Sequence, residues 1–265
     1  MSNELLEIDE LRVGFDGFLA LDGLSLTIGD GELRFIIGPN GAGKTTLLDV
    51  ATGLTRPTAG SVRFDGAEIA KLAEHKIVRR GIGRTFQNAT VFDALTVSEN
   101  LDLAASSHRR WGLLRPPALS GELESLLEDV GLAQVAHDPA GSLSHGQRSW
   151  LEIAMLLAQR PRLLLLDEPV AGMSKAERAA TGELLVEIAS QRTVVVIEHD
   201  MEFVRQFAEH VSVLHAGGLL REGSVAEVQA DPEVQRLYLA PDHGDEASDT
   251  DEALDANELT AATAR

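Results

Sequence analysis

Gly38-Pro39-Asn40-Gly41-Ala42-Gly43-Lys44-Thr45 has the spacing G-x-x-x-x-G-K-[ST], and that spacing predicts a site for the phosphates of ATP. The glycines let successive backbone N–H groups turn toward one anion. A helix starting at the end of the run adds its positive end, and Lys44 brings a point charge to the β- and γ-phosphates. Thr45 offers a hydroxyl to Mg²⁺, and Thr46 follows it in the nucleotide-binding stretch.

Two adjacent carboxylates, Asp167 and Glu168, close the apolar run Leu163 to Leu166. At the carboxyl end of a parallel strand they would face the ligand crevice, with Asp167 serving Mg²⁺. Strand alternation would turn Glu168 away from Asp167, free to polarise a water toward the γ-phosphate. A helix-cap or surface pair has the same composition, so the phosphate loop is what favours chemistry here. His199, in Glu198-His199-Asp200, follows the apolar run Thr193 to Ile197. It can hydrogen-bond a γ-phosphate or serve as a surface or capping residue. Gln87, in Arg84-Thr-Phe-Gln-Asn88, can hold Mg²⁺ or the attacking water, or be a plain loop residue.

These residues need a scaffold. Alternation around Leu24, Leu26 and Ile28, punctuated by Gly29-Asp30-Gly31, predicts antiparallel strands near the N-terminus. A buried strand over Arg34 to Ile37 leads into the glycine loop, and a helix from Lys44 to about Thr52 leaves it, stopped by Gly53. The stretch 88–160 reads as a helical insert, with Leu123, Leu126, Leu127 and Val130 at helical spacing. Strands at 163–166 and 193–197 flank a helix from Ser174 to Ser190 that opens on a Ser174/Glu177 capping box. Strand, helix, strand in that order means a parallel sheet, so the fold expected is mixed α/β.

The 265 residues are 44% hydrophobic, with a formal charge of −19 and no cysteine. Such a chain can bury a sizeable core, and its acidity argues against a nucleic-acid partner, which needs a basic face. The absence of disulfides, the acidic N-terminus and the lack of a long apolar run fit a cytoplasmic chain that reaches a membrane only through a partner. Between Pro241 and Arg265 stand eight Asp or Glu residues against one arginine. That composition predicts a disordered tail.

Leu143-Ser144-His145-Gly146-Gln147 precedes an amphipathic helix expected over Arg148 to Leu157. With it, the order of motifs over residues 5 to 240 resembles that of ABC-type ATPases. The resemblance implies two such domains pairing head to tail, each ATP lying between one phosphate loop and the partner's signature helix. By position it implies Phe15 on the adenine and Thr45, Gln87 and Asp167 at Mg²⁺. It also implies Glu168 as base, His199 at the γ-phosphate, and Ser144, Gly146 and Gln147 at the nucleotide of the other subunit. Three positions depart from the family's pattern: Phe15 replaces tyrosine, His145 replaces glycine, and the run Pro169-Val-Ala-Gly-Met-Ser174 lacks the serine and aspartate usual there.

Within the family the chain looks most like urea importer ATPase subunits, near relatives of those of branched-chain amino-acid importers. The stretches behind this are Val13-Gly-Phe-Asp-Gly-Phe18, Thr90-Val-Phe92, Leu95-Thr-Val-Ser-Glu-Asn-Leu101, Ser144-His-Gly-Gln147, Trp150-Leu-Glu152, Asp167-Glu-Pro-Val-Ala-Gly-Met173 and Glu198-His-Asp-Met201. The partners implied are membrane permease subunits, a second ATPase subunit, identical or different, and indirectly an extracytoplasmic substrate-binding protein. A branched-chain amino-acid importer subunit is the near alternative. An ATP-switched scaffold is the remote one, disfavoured by the absence of a second glycine loop and of long heptad coils.

Overall fold

The computed structural model describes residues 4–15, 17–85, 91–106 and 121–239. Two sheets form its frame. Strands β1 (Glu4–Phe15) and β2 (Phe18–Gly29) make a long antiparallel hairpin, extended by β4 (Ala59–Phe64) and β5 (Ala67–Glu68) into a four-stranded sheet of order β2-β1-β4-β5. The second sheet has six strands in the order β10-β9-β3-β8-β7-β6. Its members are β3 (Leu33–Ile37), β6 (Ile82–Arg84), β7 (Leu163–Asp167), β8 (Thr193–Ile197), β9 (His210–His215) and β10 (Gly218–Gly223). All neighbours pair in parallel except the β9–β10 hairpin at one edge.

The central strands β3, β7 and β8 are buried along their whole length. That explains why they read as continuous apolar runs, since a parallel sheet is covered on both faces. Their side chains alternate between two cores. Ile36, Leu163, Leu165, Val195 and Ile197 face the antiparallel sheet, and α1 (Lys44–Thr52) packs in the same cluster through Leu47, Leu48, Val50 and Ala51, as does the short α2 (Glu74–Val78) through Ile77. Phe35, Ile37, Leu164, Leu166, Val194 and Val196 face the other way. There they meet α3 (Val97–Ala105), α4 (Gly121–Asp129), α5 (His145–Leu157), α6 (Lys175–Ala189) and α7 (Met201–Phe207).

Helix α1 starts and ends where the sequence places it, with Gly53 as its C-cap. Helix α6 has the expected capping box: Ser174 Oγ accepts from the Glu177 N–H, and the Glu177 side chain accepts from the Ser174 N–H. Helix α5 begins three residues ahead of the expected Arg148, because Ser144 and Gln147 form a second such box. Helices α3, α4 and α5 fall within the stretch 88–160. The tail 241–265 lies outside the described residues. Among the described residues no helix is long and apolar enough to cross a membrane.

Candidate functional site

The glycine loop leaves the carboxyl end of β3 and enters α1, as phosphate capture requires. Two of its glycines are dictated by close approach. At Gly38 (φ 152°) a Cβ would lie 2.2 Å from the carbonyl oxygen of Leu214 on β9. Gly43, the N-cap of α1, has φ 99°, and a Cβ there would lie 2.6 Å from the carbonyl oxygen of Ala20 on β2. The loop is tied down further by the Ala42 N–H donating to Pro39 O (3.2 Å) and the Gly217 N–H donating to Ala42 O (3.2 Å). Asn40 and Gly41 are exposed at its crest, and Thr45 is exposed at the start of α1 with Thr46 half-buried behind it.

Lys44 is 8% exposed, and its Nζ donates to the carbonyls of Gly38 (2.6 Å) and Pro39 (3.0 Å). Burial lowers its pKa, while the charges of Glu168 and Asp167 oppose that shift. The phosphate lysine and the two carboxylates are therefore brought within electrostatic reach of one another.

Asp167 ends β7 with its side chain 1% exposed. Arg84 Nη2 donates to its Oδ2 at 3.2 Å, and Arg84 Nη1 lies 2.5 Å from Asp49 Oδ1 on α1. The Thr85 hydroxyl accepts from the Asp167 N–H at 3.2 Å. Burial raises the Asp167 pKa, and the Arg84 guanidinium partly offsets this.

Glu168 parts from Asp167 by a route other than strand alternation. Its backbone is left-handed (φ 51°), uncommon for a residue with a Cβ, and its N–H donates to Ile197 O at 2.9 Å. Glu168 Oε1 then lies 3.3 Å from His199 Nδ1, and the His199 side chain is 60% exposed. The structure thus brings together Lys44, Asp167, Glu168 and His199. Gln87 lies outside the described residues.

The signature residues form a second constellation. Ser144 Oγ accepts the Gln147 N–H and donates to Glu177 Oε1 at 3.2 Å. Gly146 packs so closely on Glu177 that a Cβ would lie 2.5 Å from its Oε1. Hydrogen bonds from Ser174 and Ser144 lower the Glu177 pKa, those from Ser174 most. His145 Nε2 is 2.9 Å from Ala171 O, and the Ser149 hydroxyl donates to Pro169 O at 3.0 Å. Two of the departures from the family's pattern, His145 and the run 169–174, therefore touch each other. Phe15 ends β1, 50% exposed and paired across the hairpin with Phe18.

Sequence reasoning missed Arg84, Asp49, Glu198 and the contact of Ser144 with Glu177. Arg84 sits inside a run already singled out for Gln87, but a cation's burial against two distant carboxylates leaves no local pattern. Oxygen donors are the right chemistry for Mg²⁺, which takes one or two protein groups and completes its shell with phosphate oxygens and water. Thr45 and Asp167 each carry an oxygen of that kind. Among the described residues no group of three or more His, Cys, Asp or Glu could hold a metal by itself.

A glycine loop between strand and helix, with a lysine, two carboxylates and a histidine converging at the carboxyl edge of a parallel sheet, defines a phosphate-loop ATPase. The ABC transporter family matches residues 21–171, and the chain belongs to that family. It is 39% identical to the high-affinity branched-chain amino acid transport ATP-binding protein BraF of Pseudomonas aeruginosa, over 90% of this chain and 99% of that one. LivG of Escherichia coli, of the same description, is 34% identical with the same coverage. Among solved structures, the ADP conformation of the ATP-binding cassette MJ1267 superposes with a TM-score of 0.80 at 29% identity, covering 90% of this chain and 99% of that one. A dimeric, post-hydrolysis ATP-binding cassette, MJ0796 with ADP and phosphate, gives 0.70 at 28% identity, covering 83% and 98%.

Proposed function

We propose that the chain is the ATP-hydrolysing subunit of a branched-chain amino-acid importer, attached to the cytoplasmic face of the membrane through permease subunits. The observation that carries import is the likeness to BraF and LivG along nearly the whole length of each. That likeness moves the reading from urea, which the stretches Ser144 to Gln147 and Pro169 to Met173 had favoured, to the alternative.

The loop 38–45 holds the triphosphate, with Lys44 on its β- and γ-phosphates and Phe15 against the adenine. Thr45, Asp167 and Gln87 would hold Mg²⁺, which would neutralise charge on the phosphates. Glu168 draws a proton from the attacking water, and His199, 3.3 Å from it, holds the γ-phosphate end. Ser144, Gly146 and Gln147 act on the nucleotide of a second ATPase subunit through the N-terminus of α5, whose N–H groups suit an anion. Closing the pair around ATP draws the two α3–α5 regions together and moves the permease, and hydrolysis reopens it. A substrate-binding protein on the far side delivers the cargo.

The test is reconstitution with the co-purifying permeases and binding protein, followed by ATPase assay with leucine, isoleucine, valine or urea. Stimulation by the amino acids is expected. Stimulation by urea alone would restore the urea reading, and recovery without any permease would contradict import and favour a scaffold.

A further inference from the structure

Glu198 is 1% exposed and takes no part in the chemistry above. Its carboxylate lies beneath the two loops that carry that chemistry. Oε1 accepts the N–H of Val170, two residues after Glu168, at 3.2 Å. Oε2 accepts the N–H of His199, also at 3.2 Å. The loop starting at Pro169 is gripped on its other side by α5, through His145 on Ala171 O and Ser149 on Pro169 O. One buried side chain therefore fixes the spacing of two backbone segments, and through α5 that spacing is linked to the signature helix.

We propose that Glu198 is a positioning residue for hydrolysis: its two oxygens lock the loop after Glu168 to the loop carrying His199, holding the pair in register with each other and with α5. The proposal rests on the assignment of Glu168 and His199 as the hydrolytic pair. Both atoms facing N–H groups must be acceptors, so glutamate is matched to the place in a way glutamine is not. An amide would turn an NH₂ toward one of the two donors and lose that bond. Burial raises the Glu198 pKa against the opposing pull of the backbone N–H groups of Val170, His199 and Asp200.

The test compares the full-length chain with Glu198→Gln, Glu198→Asp and His199→Ala, using Mg²⁺ and ATP. Glu198→Gln is expected to lower kcat by about 10- to 100-fold, the penalty of a misplacement on the scale of 1 Å, with the KM for ATP within about twofold of the parent. Amide hydrogen exchange should accelerate at Val170 or His199, whichever N–H faces the amide NH₂, while Leu164 and Val196 in the core stay protected. A merely structural role would lower Tm, loosen those core amides and move KM.

Glu198→Asp keeps both acceptors on a shorter stem and is expected to fall between parent and Glu198→Gln. It decides the matter if Glu198→Gln does not fold. Parental kcat in either variant, or unchanged exchange at both amides, overturns the proposal. His199→Ala separates the two levels. If it retains parental kcat, the assignment of the pair fails. If it loses activity while Glu198→Gln does not, only the positioning role fails.

Discussion

Replacing Arg84 with methionine removes the cation held between Asp167 and Asp49 while keeping an apolar stem of similar length. The Arg84 side chain is 6% exposed and that of Asp167 is 1% exposed, their contact being 3.2 Å. Taking one partner from so buried a pair leaves an uncompensated charge and destabilises by about 3–5 kcal/mol. Asp49, 30% exposed, can turn to water and adds little. For a chain of this size the loss corresponds to a fall in Tm of roughly 6–20 °C.

The pH dependence carries the mechanism. Burial already raises the Asp167 pKa above its ordinary value near ~4, and Arg84 holds that rise down. Between the unfolded and folded pKa values the native state binds more protons, so the contribution of Asp167 to stability falls as pH rises. Without Arg84 the folded pKa climbs and the window extends upward. The difference between Arg84→Met and parent should thus be small near pH ~4 and full at neutrality. Urea unfolding followed by circular dichroism, at acidic and neutral pH with a chelator present, measures it. A variant as stable as the parent at neutral pH, or a penalty independent of pH, would refute the reasoning.

Gly38→Ala places a Cβ 2.2 Å from Leu214 O. It is expected to lose about 1–3 kcal/mol of stability by overpacking and at least tenfold in ATP affinity, checked by thermal melting and titration with a fluorescent ATP analogue. Ser144→Ala removes the N-cap of α5, worth about 1 kcal/mol, and should abolish turnover while leaving ATP binding to the isolated chain intact. If Ser144 acts on the other subunit's nucleotide, mixing inactive Ser144→Ala and Lys44→Ala chains restores activity. An inactive mixture that still dimerises would show that it does not.

Much of this architecture was legible because it is written in local chemistry. The continuous apolar strands, the capping box at Ser174 and Glu177, and the helix leaving the phosphate loop each depend on residues adjacent in sequence. The loop also announced its own ligand, since few functions need that spacing of glycine, lysine and threonine. What stayed hidden arises from contacts between segments far apart in the chain. The link of Arg84 to Asp49 and Asp167, and the grip of Glu198 on Val170, exist only once the parallel sheet sets β6, β7 and β8 side by side. The left-handed backbone of Glu168 was equally invisible, so strand alternation was the wrong reason for its separation from Asp167. Cargo is a harder case: stretches such as Pro169 to Met173 line the ATPase machinery rather than a transport path, which is why whole-chain likeness to BraF and LivG outweighed them.

In the proposed reaction Glu168 activates water at a nucleotide closed between two subunits. Glu168→Gln keeps the size of the side chain and removes the base. With Mg²⁺ and ATP, phosphate release should fall by at least 100-fold, and light scattering should show a stable dimer that retains ATP. A Glu168→Gln chain that releases phosphate at the parental rate, or remains monomeric with ATP bound, would contradict it.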